Sequence, residues 1–344
     1  MMFRQLFDSA SGTYSYLLAS RRGGEALIID PVLEKVDRYL KLMEELDLRL
    51  VKAVDTHLHA DHITGLGALR DRTQCVTVMG ERSKVDVVSM RISEGDKLGI
   101  EGVSLDVLYT PGHTDDSYSF KMADRVFTGD TLLIRGTGRT DFQNGDPRAQ
   151  YESLQRLMRL PEETLVFPAH DYKGDTVSTI GEEKRYNPRL QVKNVEEYAA
   201  LMASLNLPNP KMMDVAVPAN MHQGLLQADI ARRGWAVNAI AARALLGRHD
   251  VVWIDLRERS EREKHGVIPG SLHAPYPDLQ ANVRPGGLLH ELAATTGKRL
   301  VFYCAFGERS AMAVRAAQDC GLAAACHLEG GIGAWKDAGG VCEG

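Results

Sequence analysis

The ten residues 56–65, THLHADHITG, constrain the fold more than any other stretch of the chain. Four potential metal ligands lie close together in it: His57, His59, Asp61 and His62. The apolar run LVKAVDT, which is typical of a strand, leads directly into them. Because α/β enzymes place their sites at strand ends, the segment predicts a metal-binding loop at the end of a strand.

Three further residues of ligand type follow apolar runs later in the chain. His113 lies in TPGHTDDS, Asp130 ends RVFTGD and His170 ends LVFPAH. A single histidine after a strand is more often a capping or core residue than a ligand. The recurrence of four such turns in one chain favours a shared metal site, which takes histidine nitrogens and carboxylate oxygens. The residues alone leave open whether this site holds one metal or two.

Short β-rich runs and amphipathic stretches alternate through the first part of the chain. YSYLLAS and EALIID predict an antiparallel pair of strands, and VDRYLKLMEELDL predicts a helix. Further strands are predicted at CVTVMG, VSLDVLYT, YSFKMADRVFTGD and TLVFPAH.

A second α/β pattern follows a stretch rich in proline and asparagine. VNAIAARALLG and SAMAVRAAQDCGL have the spacing of helices, and DVVWIDLR and RLVFYC are apolar strands. This order predicts a small α/β domain with a mostly parallel sheet. We place the first domain at residues 1–225, a linker at 226–235 and the second domain at 236–344.

Residues 304–310, CAFGERS, place a cysteine between a strand and a helix. Backbone N–H groups and the helix dipole stabilise a thiolate in such a position, so we expect a lowered pKa and a nucleophilic Cys304. Gly307 permits a tight loop, and Arg309 adds positive charge. The other cysteines lack such a setting and are predicted to be structural: Cys75, Cys320, Cys326 and Cys342.

The composition narrows the possible partners and compartments. A length of 344 residues favours two domains, and a net charge of -5 argues against nucleic acid as a partner. No apolar run approaches the roughly 20 residues that span a bilayer. The N-terminal stretch lacks the features of a signal or transit peptide, and five cysteines without a CxxC pair fit free thiols. We therefore expect a cytoplasmic protein without a membrane partner, and a homo-oligomer.

The motifs HxHxDH, PGH, TGD and PAH, in this order, resemble those of the metallo-β-lactamase superfamily over roughly residues 1–225. The resemblance implies an αββα sandwich of two sheets flanked by helices. It also implies a first metal site at His57, His59 and His113, a second at Asp61, His62 and His170, and a bridging Asp130. On this interpretation the chain is a hydrolase such as glyoxalase II.

Residues 128–146, TGDTLLIRGTGRTDFQNGD, resemble instead the persulfide dioxygenases of the ethylmalonic encephalopathy protein type. PAHDYKGDTVSTIGEEKRYNPRL and VPANMHQG support this resemblance. It implies one Fe(II) per chain, no organic cofactor, and the ligands His57, His113 and Asp130. Two imidazoles and one carboxylate leave positions open for a substrate sulfur and O₂. The neighbours that orient ligands and waters are then His59, Asp61, His62 and His170. The sequence leaves open a second metal at Asp61, His62 and His170.

The second domain resembles the rhodanese family in DLRERSEREKHGVIPGSLHAP and LEGGIGAWKDAG. Val267 departs from this family, which often has histidine at that position. Four residues separate Cys304 from Arg309, whereas cysteine phosphatases of related fold have five. The shorter loop favours a persulfide on Cys304 over phosphatase chemistry, and we expect Cys304 and Arg309 to be catalytic.

Together the resemblances imply a natural fusion of a persulfide dioxygenase with a rhodanese. The first domain is expected to oxidise glutathione persulfide with O₂ and water to sulfite and glutathione. The second is expected to transfer sulfane sulfur between thiosulfate and glutathione. Candidate groups for binding glutathione are Arg139, Tyr172 and Lys173. The alternatives are a dinuclear glyoxalase II-like hydrolase of glutathione thioesters fused to a rhodanese, and a sulfide-responsive binding or scaffold protein.

Overall fold

The computed structural model describes residues 1–86, 88–210, 212–221 and 227–344, without the side chains of residues 228 and 229. Two compact units are present. The first comprises Met1–Arg70, Thr77–Asp86 and Arg91–Gln223, and the second comprises Asp71–Val76, Val87–Met90 and Gly224–Gly344. The predicted boundary between residues 225 and 226 lies outside the described residues. The predicted linker, 226–235, contains the helix Gln227–Arg232 in its described part.

Two six-stranded sheets carry the first part of the chain. The first sheet contains, in this order, β1 to β6: Met2–Asp8, Thr13–Ala19, Glu25–Ile29, Arg49–Val54, Val76–Gly80 and Met90–Ile92. In the second sheet the strands β7 to β12 also lie side by side in chain order. They are Lys97–Ile100, Val103–Tyr109, Tyr118–Lys121, Arg125–Gly129, Leu165–Pro168 and Ser178–Thr179. The helices α1 to α6 are Val36–Glu45, Leu66–Thr73, Pro147–Leu157, Ile180–Tyr186, Val195–Ala203 and Met213–Met221. This αββα sandwich confirms the predicted fold.

Aromatic side chains fill the space between the two sheets. The ring of Tyr16 on β2 lies 5.0 Å from that of Phe127 on β10, and Phe3 on β1 lies 5.0 Å from Phe167 on β11. Each such ring buries a large apolar area and so contributes strongly to the stability of the core. The predicted antiparallel pairing of β2 with β3 is confirmed, with Leu17 opposite Ile28.

The ligand-type residues follow the C-terminal ends of several strands. β4 runs parallel to β3, and β10 runs parallel to β11. The loop after β4 carries the THLHADHITG segment, Asp130 follows β10, and His170 follows β11. Neighbouring parallel strands end at the same edge of a sheet, so residues that follow β10 and β11 are brought together.

The second unit contains a sheet of order β13-β17-β16-β14-β15, and within the described residues its four pairs of neighbouring strands are all parallel. Its strands, β13 to β17, are Ala236–Val237, Val251–Asp255, Leu272–His273, Arg299–Tyr303 and Cys326–Leu328. The helices α7 to α13 are Gln227–Arg232, Ala239–Ala242, Arg259–His265, Leu279–Val283, Leu288–Thr296, Glu308–Asp319 and Gly331–Asp337. This confirms the predicted small α/β domain. No helix in the described part of the chain is long and apolar enough to cross a membrane.

Candidate functional site

His57, His113 and Asp130 come together after β4, β8 and β10. One ligand atom of each lies within 4.8 Å of the others. The Nε2 atom of His113 is 3.5 Å from Oδ2 of Asp130. All three residues are buried, yet each lines a cavity of about 260 Å³. These residues form a cluster of donor atoms that a small molecule in the cavity can reach; we call it the first cluster.

Hydrogen bonds set the orientation of both imidazole rings in the first cluster. Nδ1 of His113 donates to the carbonyl oxygen of Arg139, 2.7 Å away. Thr56 Oγ1 donates to Asp30 at 3.0 Å, and it accepts from Nδ1 of His57 at 2.9 Å. Each ring therefore keeps the lone pair on Nε2 free, which is the arrangement that metal-binding histidines use.

The protonation states of His57 and Asp130 also suit a metal. Burial lowers the pKa of His57 well below its usual value, so the imidazole is neutral near pH 7. Burial alone would raise the pKa of Asp130, but nearby histidines, chiefly His170, hold it below its usual value. Metal ligands must be neutral imidazoles and ionised carboxylates. The donor set fits a cation that prefers two nitrogens and one oxygen, with further positions open.

A second cluster contains His59, Asp61, His62 and His170, again with ligand atoms within 4.8 Å of one another. His170 donates from Nδ1 to Asp130 Oδ1 at 2.7 Å and from Nε2 to Asp61 Oδ2 at 2.8 Å. Burial lowers its pKa, but the two carboxylates raise it well above the usual value. His170 is therefore an imidazolium whose two nitrogens both bind carboxylates. Two nitrogens of the second cluster, His59 Nδ1 and His62 Nε2, are buried without a hydrogen-bond partner in the described structure.

Asp30 and Asn220 hold the ligand loop, and the sequence interpretation missed both roles. Asp30 Oδ1 accepts from the Thr56 backbone N–H at 2.7 Å and pairs with His59 Nε2 at 3.1 Å. The Asn220 amide donates to the carbonyl oxygens of His59 and His62 at 3.0 and 2.8 Å. Two sequence features could have indicated these roles: the aspartate that follows the apolar run EALII, and the asparagine in VPANMHQG. The last residues of that motif, 222–224, lie outside the described part.

The three predicted substrate-binding residues, Arg139, Tyr172 and Lys173, all line the cavity. The guanidinium of Arg139 binds both oxygens of Asp141 at 2.6 Å, so its charge is already neutralised. Tyr172 is 74% exposed, and its ring stacks on His170 with centroids 6.0 Å apart. The side chain of Lys173 is exposed at the cavity rim.

Arg189 is a cavity residue that the sequence interpretation did not single out. Its Nη1 donates to the carbonyl oxygen and the hydroxyl of Thr137, both of which are uncharged. Among the described residues no carboxylate pairs with it, and burial lowers its pKa. The guanidinium is therefore an uncompensated positive charge at the cavity. The sequence feature that could have indicated it was its position at the end of the motif PAHDYKGDTVSTIGEEKRYNPRL.

Cys304 lies at the end of β16, in the loop that leads into α12. The thiol is fully buried, and the Gly307 backbone N–H donates to Sγ at 3.1 Å. Gly307 has a φ of 102°, in the left-handed region that favours glycine. The Gln227 amide holds this loop by donating to the Phe306 carbonyl and by accepting from the Gly330 N–H, both at 2.8 Å.

The expected lowering of the Cys304 pKa is contradicted. Burial, followed by the carboxylate of Glu308, raises the pKa of Cys304 to about 11. Arg309 lowers this pKa only in part, because its two terminal nitrogens bind Glu261 at 2.8 and 2.7 Å. The sequence showed the loop but not the burial of Glu308 or the acid that pairs with Arg309. All five cysteines are free thiols, as expected.

Comparison with protein families matches both parts of the chain. A model of the metallo-beta-lactamase superfamily matches residues 9–86 and 78–170, and a model of the rhodanese-like domain matches residues 238–338. The mouse protein named persulfide dioxygenase ETHE1, mitochondrial, is 46% identical over 229 residues, which are 65% of this chain and 89% of that protein.

Two further relatives show how specific this similarity is. The crystal structure of ETHE1 from Myxococcus xanthus is 55% identical and superposes with a TM-score of 0.63, covering 64% of this chain and 98% of that one. The hydroxyacylglutathione hydrolase of Haemophilus ducreyi is 31% identical over 54% of this chain and 92% of its own length. The similarity to the two ETHE1 proteins is thus considerably higher than that to the hydrolase.

Proposed function

We propose that this chain is a bifunctional enzyme of sulfane-sulfur metabolism. It belongs to the persulfide dioxygenase family, and it continues into a rhodanese-like domain. The first site oxidises glutathione persulfide with O₂ and water to sulfite and glutathione. The second transfers sulfane sulfur between thiosulfate and glutathione through a persulfide on Cys304.

The observation that best supports the first activity is a difference in hydrogen bonding between the histidines of the two clusters. His57 and His113 each keep Nε2 free, and Asp130 presents Oδ2 beside them. His170, which a dinuclear site needs, instead donates to two carboxylates. This contrast supports a single Fe(II) held by His57, His113 and Asp130. Such an iron would supply open coordination positions for a sulfur ligand and O₂, and the electrons that activate O₂.

The chain's own residues position the substrate and order the site. Arg189, Tyr172 and Lys173 line the cavity, and Arg189 can bind a glutathione carboxylate through its free guanidinium donors. Leu133 and Phe142 form an apolar part of the wall, which limits water around the reacting sulfur. His170 donates from Nδ1 to Asp130 Oδ1 and from Nε2 to Asp61, so that Oδ2 of Asp130 remains turned toward His113.

The rhodanese-like unit supports the second activity. The Gly307 N–H, at 3.1 Å from Cys304 Sγ, can stabilise a sulfur anion at this position. Attack of the Cys304 thiolate on the outer sulfur of thiosulfate forms a Cys304 persulfide and releases sulfite. Attack of a glutathione thiolate on that persulfide forms glutathione persulfide, which is the substrate of the first site.

A glyoxalase II-like dinuclear hydrolase is the second candidate, and one observation favours it: the free nitrogens of His59 and His62 in the second cluster. Metal analysis separates the two functions. We expect protein purified from iron-replete cells to contain close to one iron per chain and little zinc. Close to two metals per chain, with hydrolysis of a glutathione thioester, would establish the hydrolase instead.

Replacing Arg189 with alanine tests the assignment of the substrate carboxylate. We expect the KM for glutathione persulfide to rise by about 10-fold or more with little change in kcat, because a charge-assisted hydrogen bond far from the reacting sulfur contributes to uniform binding. Oxygen uptake at varied substrate concentration measures this. Arg185→Ala removes an exposed arginine that pairs with Glu162 and serves as the matched control.

A persulfide donor without carboxylates adds a second arm to the Arg189 experiment. With cysteamine persulfide, Arg189→Ala and the unmodified chain are expected to have the same KM. If Arg189→Ala leaves the KM for glutathione persulfide unchanged, the guanidinium does not bind the substrate.

A further inference from the structure

The peptide group between Phe306 and Gly307 presents its N–H to the sulfur of Cys304. Gly307 donates to Sγ at 3.1 Å, whereas the thiol itself faces two acceptors at 3.8 Å, Oε1 of Glu308 and Oγ of Ser310. Burial and Glu308 raise the pKa of Cys304, and the Gly307 N–H is among the groups that lower it. The stability of a thiolate at this position therefore depends on the direction in which this peptide group points.

Gln227 binds the other end of the same peptide group. Its Nε2 donates to the Phe306 carbonyl, and its Oε1 accepts from the Gly330 N–H, both at 2.8 Å. The N–H and the C=O of a trans peptide point in opposite directions. With the carbonyl bound to Gln227, the Gly307 N–H is directed at the sulfur. If this peptide group turned over, its carbonyl oxygen would face the sulfur and would repel an anion.

The neighbouring carbonyls of the loop are held in a different way. Those of Cys304 and Ala305 accept hydrogen bonds from the backbone N–H groups of Ile332 and Gly333, at 2.8 and 3.1 Å. The Phe306 carbonyl is held by a side chain instead. A single substitution can therefore release this peptide group and leave the bonds to its neighbours in place.

Gly307 makes the bond from Gln227 necessary. Its φ is 102°, and glycine adopts positive and negative φ with similar ease, so residue 307 does not itself fix the peptide group. Gln227 lies so close to Gly307 that a Cβ at this position would clash with the carboxamide. Gln227 begins α7 and precedes residues 238–338, the part that matches the rhodanese-like domain. The bond thus comes from a helix outside the matched domain.

We propose that Gln227 is a positioning residue of the second site, which directs the Gly307 N–H at Cys304 and so stabilises the thiolate on which sulfur transfer depends. The proposal rests on sulfur transfer through Cys304, as proposed above, and adds to it a residue that acts through the loop. The thiolate is needed twice: it attacks the sulfur donor, and it leaves when an acceptor takes the outer sulfur of the Cys304 persulfide. Gln227 therefore assists both half-reactions.

Replacing Gln227 with methionine tests the proposal on the full chain. Methionine keeps the length of the side chain but removes both hydrogen bonds. Transfer of sulfur from thiosulfate to cyanide is followed as thiocyanate, and the rate with Cys304→Ser is subtracted as background. We expect the rate of transfer to fall by about 10-fold, since a hydrogen bond to a charged group contributes about 10- to 100-fold to an equilibrium. An unchanged rate would contradict the proposal.

The rate of Cys304 alkylation separates this role from a purely structural one. A loosened loop would expose the buried thiol and raise this rate, whereas a turned peptide group lowers the thiolate fraction and so lowers the rate. At about pH 8, labelling of Cys304 by iodoacetamide should be about threefold or more slower in Gln227→Met, as measured by peptide mass spectrometry. The expected loss is modest because a more basic thiolate is a better nucleophile. Equal or faster alkylation would overturn the proposal.

Gln318→Met is the matched control. The Gln318 amide also donates to loop carbonyls, those of Ala323 and Ala325 at 3.1 Å, but it lies near the C-terminal end of α12, whereas the Cys304 loop precedes the N-terminus of this helix. This variant should keep both the transfer rate and the alkylation rate. Losses equal to those in Gln227→Met would show a general effect on the fold and would overturn the proposal.

Two further results keep the proposal separate from its premises. If Gln227→Met does not fold, hydrogen exchange of the Gly307 amide decides: it should be about 10-fold or more slower in the unmodified chain than in Cys304→Ala, and equal rates would contradict the proposal. If the unmodified chain transfers no sulfur from thiosulfate, the proposed sulfurtransferase function is wrong, while the alkylation rates still test the role of Gln227.

Discussion

Replacing Asp130 with alanine is expected to remove most of the bound iron and to lower oxygen uptake with glutathione persulfide by more than about 100-fold. The change removes one of three ligands and the only negative charge in the first cluster. Residues that merely hydrogen-bond to a metal ligand already contribute about 10- to 100-fold to affinity or activity, so the loss of a ligand should exceed that. Iron content and oxygen consumption, measured on the same preparation, check the prediction.

The control for Asp130→Ala is Asp124→Ala. Asp124 is an exposed acid that pairs with Arg125 just before β10. This variant should keep its iron and its oxygen uptake. Circular dichroism of both variants shows whether the sandwich is intact. If a folded Asp130→Ala protein retains iron and activity, the metal lies in a different set of ligands, and the second cluster around His62 and Asp61 becomes the candidate.

Replacing Cys304 with serine is expected to lower sulfur transfer from thiosulfate by about 10³-fold or more, because the residue that carries the sulfur is absent. Serine preserves the size of the side chain and fits the same buried position. Oxygen uptake with added glutathione persulfide should remain within about twofold of the unmodified chain, since His57, His113 and Asp130 lie in the other unit. Thiocyanate formation and oxygen uptake, assayed separately, measure the two activities.

Cys342→Ser is the matched control for Cys304→Ser. Cys342 is a free, partly buried thiol near the end of the chain, and its loss should leave both activities unchanged. Full thiosulfate-dependent activity in Cys304→Ser would exclude Cys304 as the sulfur carrier. Loss of transfer in Cys342→Ser would place the reactive thiol elsewhere.

The fold was predictable because its signals are local. The strand-forming runs around β2, β3 and β14, and the helical spacing of α12, each appear within a few residues of sequence. β1, Met2–Asp8, was missed, since its residues alternate only weakly between buried and exposed positions. The helix predicted in VNAIAARALLG is short: α8 covers Ala239–Ala242, and a 3₁₀ turn, Arg243–Leu245, follows it.

The chemistry of the site was predictable only in part, because it depends on partners distant in sequence. The motifs identify His57, His113 and Asp130 as a set, and the structure brings them together. They do not show that Arg139 is paired with Asp141 while Arg189 has no carboxylate partner among the described residues.

The pKa of Cys304 in the second site was mispredicted for a related reason. A helix N-terminus and a nearby arginine ordinarily lower the pKa of a cysteine thiol, and the prediction rested on these two local features. Arg309 is instead paired with Glu261, 48 positions earlier, and Glu308 turns inward toward the sulfur. Burial and a like charge therefore outweigh the helix dipole, and the pKa of Cys304 rises.

Oxygen uptake by the iron-loaded chain on addition of glutathione persulfide tests the central claim most directly. We expect consumption of O₂ in step with the formation of sulfite, at about one O₂ for each persulfide, and none with glutathione alone. No oxygen uptake by a folded protein that contains its iron would contradict the account, whether or not the second unit transfers sulfur.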